Sequence, residues 1–154
     1  LPVLESTLAA IKNYCAYQER CHSEVRSKLI SLACYGEDLE EAIGILIEEN
    51  YLNEERFATT YAGSKFRLQS WGKIKIKQQL KSKQVSDYCI RKAMASIDEA
   101  AYEEKLYHLM QKKIDSLSAE SNQWKKKQKV FNYLLQKGFE QDIIHSLWNS
   151  QEKM

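Results

Sequence analysis

An all-α fold is what this sequence predicts: three tandem three-helix repeats with helix-turn-helix-like pairs, laid out as an elongated, curved array. Two observations carry that reading. One is an apolar register that occurs three times. Around the anchors Leu29, Leu80 and Leu134, Val25, Ile76 and Val130 stand four residues earlier; Cys34, Val85 and Phe139 follow five later, Leu39, Ile90 and Ile144 ten later, and Ile43, Met94 and Trp148 fourteen later. The outer pairs are four apart, the spacing of one helix face, and the five-residue steps between them are the length of a helix-turn-helix corner. The other observation is the scarcity of breakers, five glycines and one proline in 154 residues, which suits helices joined by short turns. A repeat of about fifty residues that cannot bury its own apolar face is the mark of stacked supersecondary units.

The units take the bounds 1–52, 53–97 and 98–154, each adding a leading helix to its pair. In the first, Leu4, Leu8, Ile11 and Cys15 mark one apolar face, and its leading helix is short. The second opens with Leu52-Asn53-Glu54-Glu55-Arg56-Phe57. There Asn53 suits an N-cap, the two glutamates suit the positive end of the helix dipole, and Leu52 can staple onto Phe57. The third opens alike, with Ile97, Asp98, Glu99 and then Tyr102, followed by Leu106, Leu109, Met110 and Leu117. Cap to anchor is nine residues longer in the third unit than in the second (Asp98 to Leu134 against Asn53 to Leu80), which lengthens the leading helix or the loop near Ser116 to Asn122. Lys73-Ile74-Lys75-Ile76-Lys77 alternates like a strand, but Ile76 and Leu80 keep the helical register, so it is read as helix.

Charge is segregated beneath a net +2. Glu37 to Glu55 holds eight acids and no base, whereas Lys65 to Lys92 holds nine bases and one acid, Asp87. A second basic block, Lys125, Lys126, Lys127, Lys129 and Lys137, has no acid between Asn122 and Lys137. Bases packed this densely repel one another unless something anionic binds, either phosphates or an acidic protein surface. Phe66, Trp71 and Trp124, interleaved with them, are candidate stacking groups for single strands. Gly72 reads as a C-cap glycine in a tight turn that brings Arg67, Trp71 and Lys73 together. The candidate contact residues are therefore Arg56, Lys65, Arg67, Trp71, Gly72, Lys73, Lys75, Lys77 and Lys81, with Lys125, Lys126, Lys127 and Lys129 as a secondary patch. Major-groove reading by the second helix of each pair is disfavoured, since those helices begin Asp38-Leu39-Glu40-Glu41, Ser86-Asp87 and Glu140-Gln141-Asp142.

Enzyme signatures are missing: no glycine-rich phosphate loop, no HExxH, no GxSxG, and His22, His108 and His145 stand apart from any nucleophile pattern. Cys15, Cys21, Cys34 and Cys89 form no CxxC pair, and Cys15, Cys21, His22 and Cys34 lack zinc spacing, so reduced thiols and neither metal nor cofactor are expected. Leu1 to Ala10 has no basic stretch ahead of a long apolar one, and nowhere do eighteen apolar residues run together. A cytoplasmic protein without a membrane partner is the expectation.

The run Tyr51-Leu52-Asn53-Glu54-Glu55-Arg56-Phe57-Ala58 resembles the "gyLdDeRFA" segment of RecX regulatory proteins. Gly72-Lys73-Ile74-Lys75-Ile76 with Gln79-Leu80 is similar to that family's "G..rI..eL" pattern, and Glu24-Val25 with Lys28-Leu29 to its "eL..kL". The likeness covers nearly the whole chain and is most specific from Leu46 to Val85. Tyr17 and Gln18 stand where the family often has basic residues, and Cys21 where it commonly has Ser. The resemblance implies a monomeric, non-enzymatic modulator of the RecA recombinase. It would bind RecA filaments on single-stranded DNA, suppress ATP hydrolysis, strand exchange and filament growth, and touch DNA directly only weakly. Two other readings stay open: a stand-alone single-stranded nucleic-acid-binding module and a helical-repeat adaptor.

Overall fold

The structure is a computed structural model describing residues 3–153; Leu1, Pro2 and Met154, which belong to the outer repeats as bounded above, lie outside the described residues. Among the described residues there are nine α-helices and no strand. They are α1 (Glu5–Tyr17), α2 (His22–Ser31), α3 (Gly36–Glu48), α4 (Glu54–Gln69), α5 (Lys73–Ser82), α6 (Asp87–Ala95), α7 (Glu99–Ser116), α8 (Gln123–Gln136) and α9 (Gln141–Glu152). All fifteen residues of the threefold register are buried. The alternating lysine segment is helical, as its register requires.

The five-residue step has one physical cause in all three repeats. The N–H of Cys34 donates to the carbonyl of Leu29 (2.9 Å), that of Val85 to Leu80 (3.1 Å) and that of Phe139 to Leu134 (3.2 Å). One residue earlier, the N–H of Ala33, Gln84 and Gly138 donates to Ile30, Lys81 and Leu135, and each donor has a left-handed φ, 60°, 64° and 98°. This is the Schellman turn, which satisfies carbonyls at a helix end and sets an apolar residue of the turn against one in the helix's last stretch. The anchor leucine and the corner residue are that apolar pair.

Helix starts follow local chemistry. Asn53 accepts the N–H of Arg56 (2.9 Å), Asp98 that of Ala101 (2.9 Å) and Asn122 that of Lys125 (3.0 Å). Both expected staple pairs, Leu52 with Phe57 and Ile97 with Tyr102, are buried. Leu4 departs from expectation: it precedes α1 and is 69% exposed, so the buried residues of α1 are Thr7, Ile11 and Cys15, with Leu8 half-buried against the same core. The nine extra residues of the third repeat are divided three ways. Helix α7 has 18 residues against 16 in α4, the connection 117–122 is three longer than 70–72, and Leu134 is the twelfth residue of α8 where Leu80 is the eighth of α5.

The chain forms two compact units, Leu1–Tyr61 with Gln79–Ala93, and Ala62–Gln78 with Met94–Met154. The core of the first includes Ile11, Val25, Leu29, Leu39, Ile43, Leu46 and Leu52. Here the Glu54 carboxylate joins two helix ends, accepting the N–H of His22 at the start of α2 and of Ser86 just before α6 (3.2 Å each). Acids at helix N-termini are favoured by the dipole, and one carboxylate serves two helices. All four cysteines are buried and unpaired. Cys21 sits at the N-cap of α2, its Sγ 3.1 Å from Ser23 Oγ.

Leu80→Ala should cost about 2–5 kcal/mol, the range for buried leucines, read as a shift in the urea midpoint at unchanged slope. Gly44, inside α3, has nothing within 4 Å of an added Cβ, so Gly44→Ala should stabilise by about 0.5–1 kcal/mol.

Candidate anion-binding site at the Gly72 turn

Within the second unit, the turn between α4 and α5 is built against the turn between α8 and α9. After α4 ends at Gln69, Ser70 takes the left-handed conformation (φ 57°) and the N–H of Trp71 reaches the carbonyl of Lys65 (3.1 Å). The C-cap reading of Gly72 is thereby corrected, because Ser70 supplies the positive φ and Gly72 has none. Gly72 is needed for close approach: a Cβ there would lie 2.3 Å from the carbonyl carbon of Gly138 and 2.4 Å from the nitrogen of Phe139. Across this contact the N–H of Gly72 donates to Lys137 O (2.7 Å) and that of Ile74 to Gly138 O (2.9 Å). Gly138 is constrained in return, since its own Cβ would meet Lys75 Cβ at 2.4 Å.

Tyr102, from α7, locks the same junction. Its hydroxyl accepts the N–H of Lys73 (2.9 Å) and donates to the Glu140 carboxylate, while its ring packs against Phe66 (5.7 Å between centroids) and Phe139 (5.2 Å). Burial, and then the Glu140 carboxylate, push the Tyr102 phenol well above its ordinary pKa. With the N–H groups of Gly72, Lys73 and Ile74 engaged, the start of α5 is not an open phosphate nest. Any anion here must be held by side chains.

The turn gathers those side chains. Lys65 Nζ lies 4.9 Å and Lys75 Nζ 4.7 Å from the centre of the half-buried Trp71 ring, and Lys73 Nζ lies 4.8 Å from that of Tyr102. Lys137 Nζ donates to Gln69 O (2.8 Å) and Lys105 Nζ to Arg67 O (3.3 Å), so two lysines of the third repeat cap the C-terminal carbonyls of α4. Crowding among these cations is felt at Lys137, whose pKa is held below its ordinary value by burial first, then by Lys75 and Lys105. An anion bound here would relieve that repulsion.

Of the residues singled out from sequence, Lys65, Arg67, Trp71, Gly72, Lys73 and Lys75 meet at this turn. Arg67 folds its guanidinium back over Gly63, where Nη1 would be 2.7 Å from an added Cβ. Lys77 is exposed further along α5, and Lys81 is exposed in the first unit. Arg56, also in the first unit, is committed internally: Nε pairs with Glu19 (2.7 Å) and Nη1 donates to Asn50 Oδ1 (3.1 Å). Lys125, Lys126, Lys127 and Lys129 occupy the first two turns of α8, with Lys129 paired to Glu120 (3.3 Å) and Lys127 5.5 Å from the Phe131 ring. Phe66 is buried against Tyr102 and is removed from the stacking groups, whereas Trp124 is 69% exposed. Sequence reasoning left Lys105, Tyr102 and Glu140 out of the site. Part of the acidic block is also spent internally: Glu49 pairs with Lys12 (3.0 Å), and Glu40 binds Arg26 through both oxygens (2.6 and 3.1 Å).

The chain is thus a helical-repeat protein with cationic side chains gathered at one turn. Comparison with known proteins gives the family. Residues 53–94 match the family model "RecX, second three-helix domain", and residues 101–148 match "RecX, third three-helix domain". The chain belongs to the RecX family. It is 34% identical over 129 residues to regulatory protein RecX of Clostridium perfringens strain 13, covering 83% of this chain and 60% of that protein. To regulatory protein RecX of Serratia proteamaculans it is 33% identical over 111 residues, 71% of this chain and 63% of the relative. The chain thus spans about three-fifths of the length of these relatives. The crystal structure of RecX from Lactobacillus salivarius superposes with a TM-score of 0.88 at 28% identity, covering 97% of this chain and 96% of that one.

Tyr102→Phe orphans the N–H of Lys73 and should cost about 1–3 kcal/mol. The folded phenol keeps its proton where the unfolded one loses it, so stability should fall as pH rises through the ordinary tyrosine value of 10.0. Unfolding midpoints between neutral and strongly alkaline pH should show a shallower alkaline fall in Tyr102→Phe than in the parent.

Proposed function

We propose that this chain acts as a RecX-type regulator, binding RecA filaments on single-stranded DNA and lowering ATP hydrolysis, strand exchange and filament growth, without catalysis of its own. Family membership supplies the regulatory role, and the names of its relatives describe regulatory proteins. What supports an anionic partner is the cluster of Lys65, Lys73, Lys75, Lys105 and Lys137 around one turn, held by contacts that fix their positions before any ligand arrives. Ammonium groups so placed suit the phosphates of a single strand in the filament or carboxylates on its protein surface. Trp124, exposed beside Lys125, Lys126 and Lys127, favours a second reading in which the chain binds single strands without RecA.

A dose series in a RecA ATPase assay on single-stranded DNA tests the proposal, with inhibition expected at substoichiometric amounts. No inhibition at severalfold excess, together with tight binding to DNA alone, would favour the second reading. Replacing Lys65, Lys73 and Lys75 together should weaken inhibition and flatten its salt dependence, by about 0.7 in log–log slope for each lost contact to a single-strand phosphate. The matched triple Lys125, Lys126 and Lys127 should do less. The first triple should cost up to about 3 kcal/mol of stability, since each of its half-buried lysines loses an ammonium–ring contact of about 0.5–1 kcal/mol, and the second triple should cost less.

A further inference from the structure

We propose that Lys65, Trp71 and Lys75 form a clamp for the phosphodiester chain itself, so that this site takes a strand as a line of phosphates and neither stacks on nor reads its bases. The inference rests on the reading of the basic turn as an anion site and specifies what that site recognises. Trp71 is the aromatic residue at the turn that an incoming base would meet. Its ring already carries two ammonium groups, 4.9 and 4.7 Å from its centre. A base stacking there would have to displace cations that the ring attracts and that the ligand's own phosphates need. Phe66 and Tyr102 are buried in the junction behind it and offer no face.

Base-edge reading lacks its usual means as well. A rigid planar fork that pairs bidentately with a base edge is arginine's, while lysine is a compact point charge on a flexible stem. Arg67, the guanidinium of this turn, is folded over Gly63, and the N–H groups at the start of α5 are bonded to Lys137, Tyr102 and Gly138. What is left to offer is positive charge at set positions, with Trp71 as a positioning residue that holds two ammonium groups on a rigid support. Such a site is indifferent to base and to sugar. Its ligand class is therefore any flexible phosphodiester strand.

The test compares oligothymidine, oligouridine and an abasic phosphodiester chain of equal length by fluorescence anisotropy at low salt. The full chain carrying Trp124→Ala is used, so that the exposed ring on α8 cannot supply stacking. Equal affinity for all three ligands is expected. Adding Trp71→Ala should weaken all three alike by about fivefold, the scale of the ordering cost of lysine side chains no longer held in place. Trp71→Phe, which keeps a ring, should restore most of that loss. Lys65→Ala with Lys75→Ala should reduce the salt slope by about 0.7 per lost contact for each ligand. Oligothymidine binding tenfold tighter than the abasic chain, with the advantage erased by Trp71→Ala, would overturn the clamp and make Trp71 a stacking platform. If none of the ligands binds, the anion-site reading fails and the clamp falls with it.

Discussion

Everything in this fold hangs on one turn made three times. A leucine carbonyl near the end of a helix accepts the N–H of the residue five positions on, and the residue between them in the turn goes left-handed. The geometry reverses the chain, satisfies carbonyls that would otherwise be orphaned, and drops an apolar side chain beside the leucine. Buried polar backbone is costly, so the turn fixes both where each helix ends and which side chain enters the core. Two of the three turns place Ala33 and Gln84 in the left-handed conformation, which costs an ordinary residue about 1–2 kcal/mol. The third uses Gly138 (φ 98°), and there the reason is steric as well as conformational.

That third turn links fold to site. Gly138 leaves room for the backbone of Gly72 and for Lys75, so α5 begins directly on the corner between α8 and α9. Tyr102 and Glu140 then hold the junction by hydrogen bonds, and the lysines are carried into one place by backbone that cannot shift freely. Concentrating positive charge is unfavourable by itself. The second unit offsets it by setting Lys105 and Lys137 on the carbonyls that end α4, and Lys65, Lys73 and Lys75 on aromatic rings. Each cation thus has an internal partner that holds it at the turn.

Legibility from sequence followed the range of the interactions involved. The apolar register, the caps at Asn53 and Asp98 and the two staples depend on neighbours within a turn or two, and all could be read from the residues themselves. Leu4 misled because periodicity says nothing about where a helix begins, and it falls just outside α1. Gly72 misled for a related reason: glycine after a helix usually supplies positive φ, yet Ser70 had already done so, and the partner that demands glycine lies 66 positions away at Gly138. The acids of the middle stretch showed in sequence only as a run of like charge, with Glu54 at a helix start, whereas in the fold Glu54 spans the starts of α2 and α6 and Glu40 is engaged by Arg26. Lys105 and Tyr102 sit in a helix whose pattern showed only its core face, and their link to the Gly72 turn exists only once the third repeat is folded.

The thiols carry a practical consequence. Burial pushes the Cys15, Cys21 and Cys34 thiols above their ordinary pKa, so the reactive thiolate is scarce as well as shielded, and Cys89 is buried too. A native-state maleimide reaction would therefore leave these four side chains largely silent. Single cysteines introduced at exposed positions of α3 and α8 would accept dyes selectively in the otherwise unaltered chain. Dyes on the two compact units could then report the binding of an added partner by energy transfer, with no need to strip the background cysteines from the core.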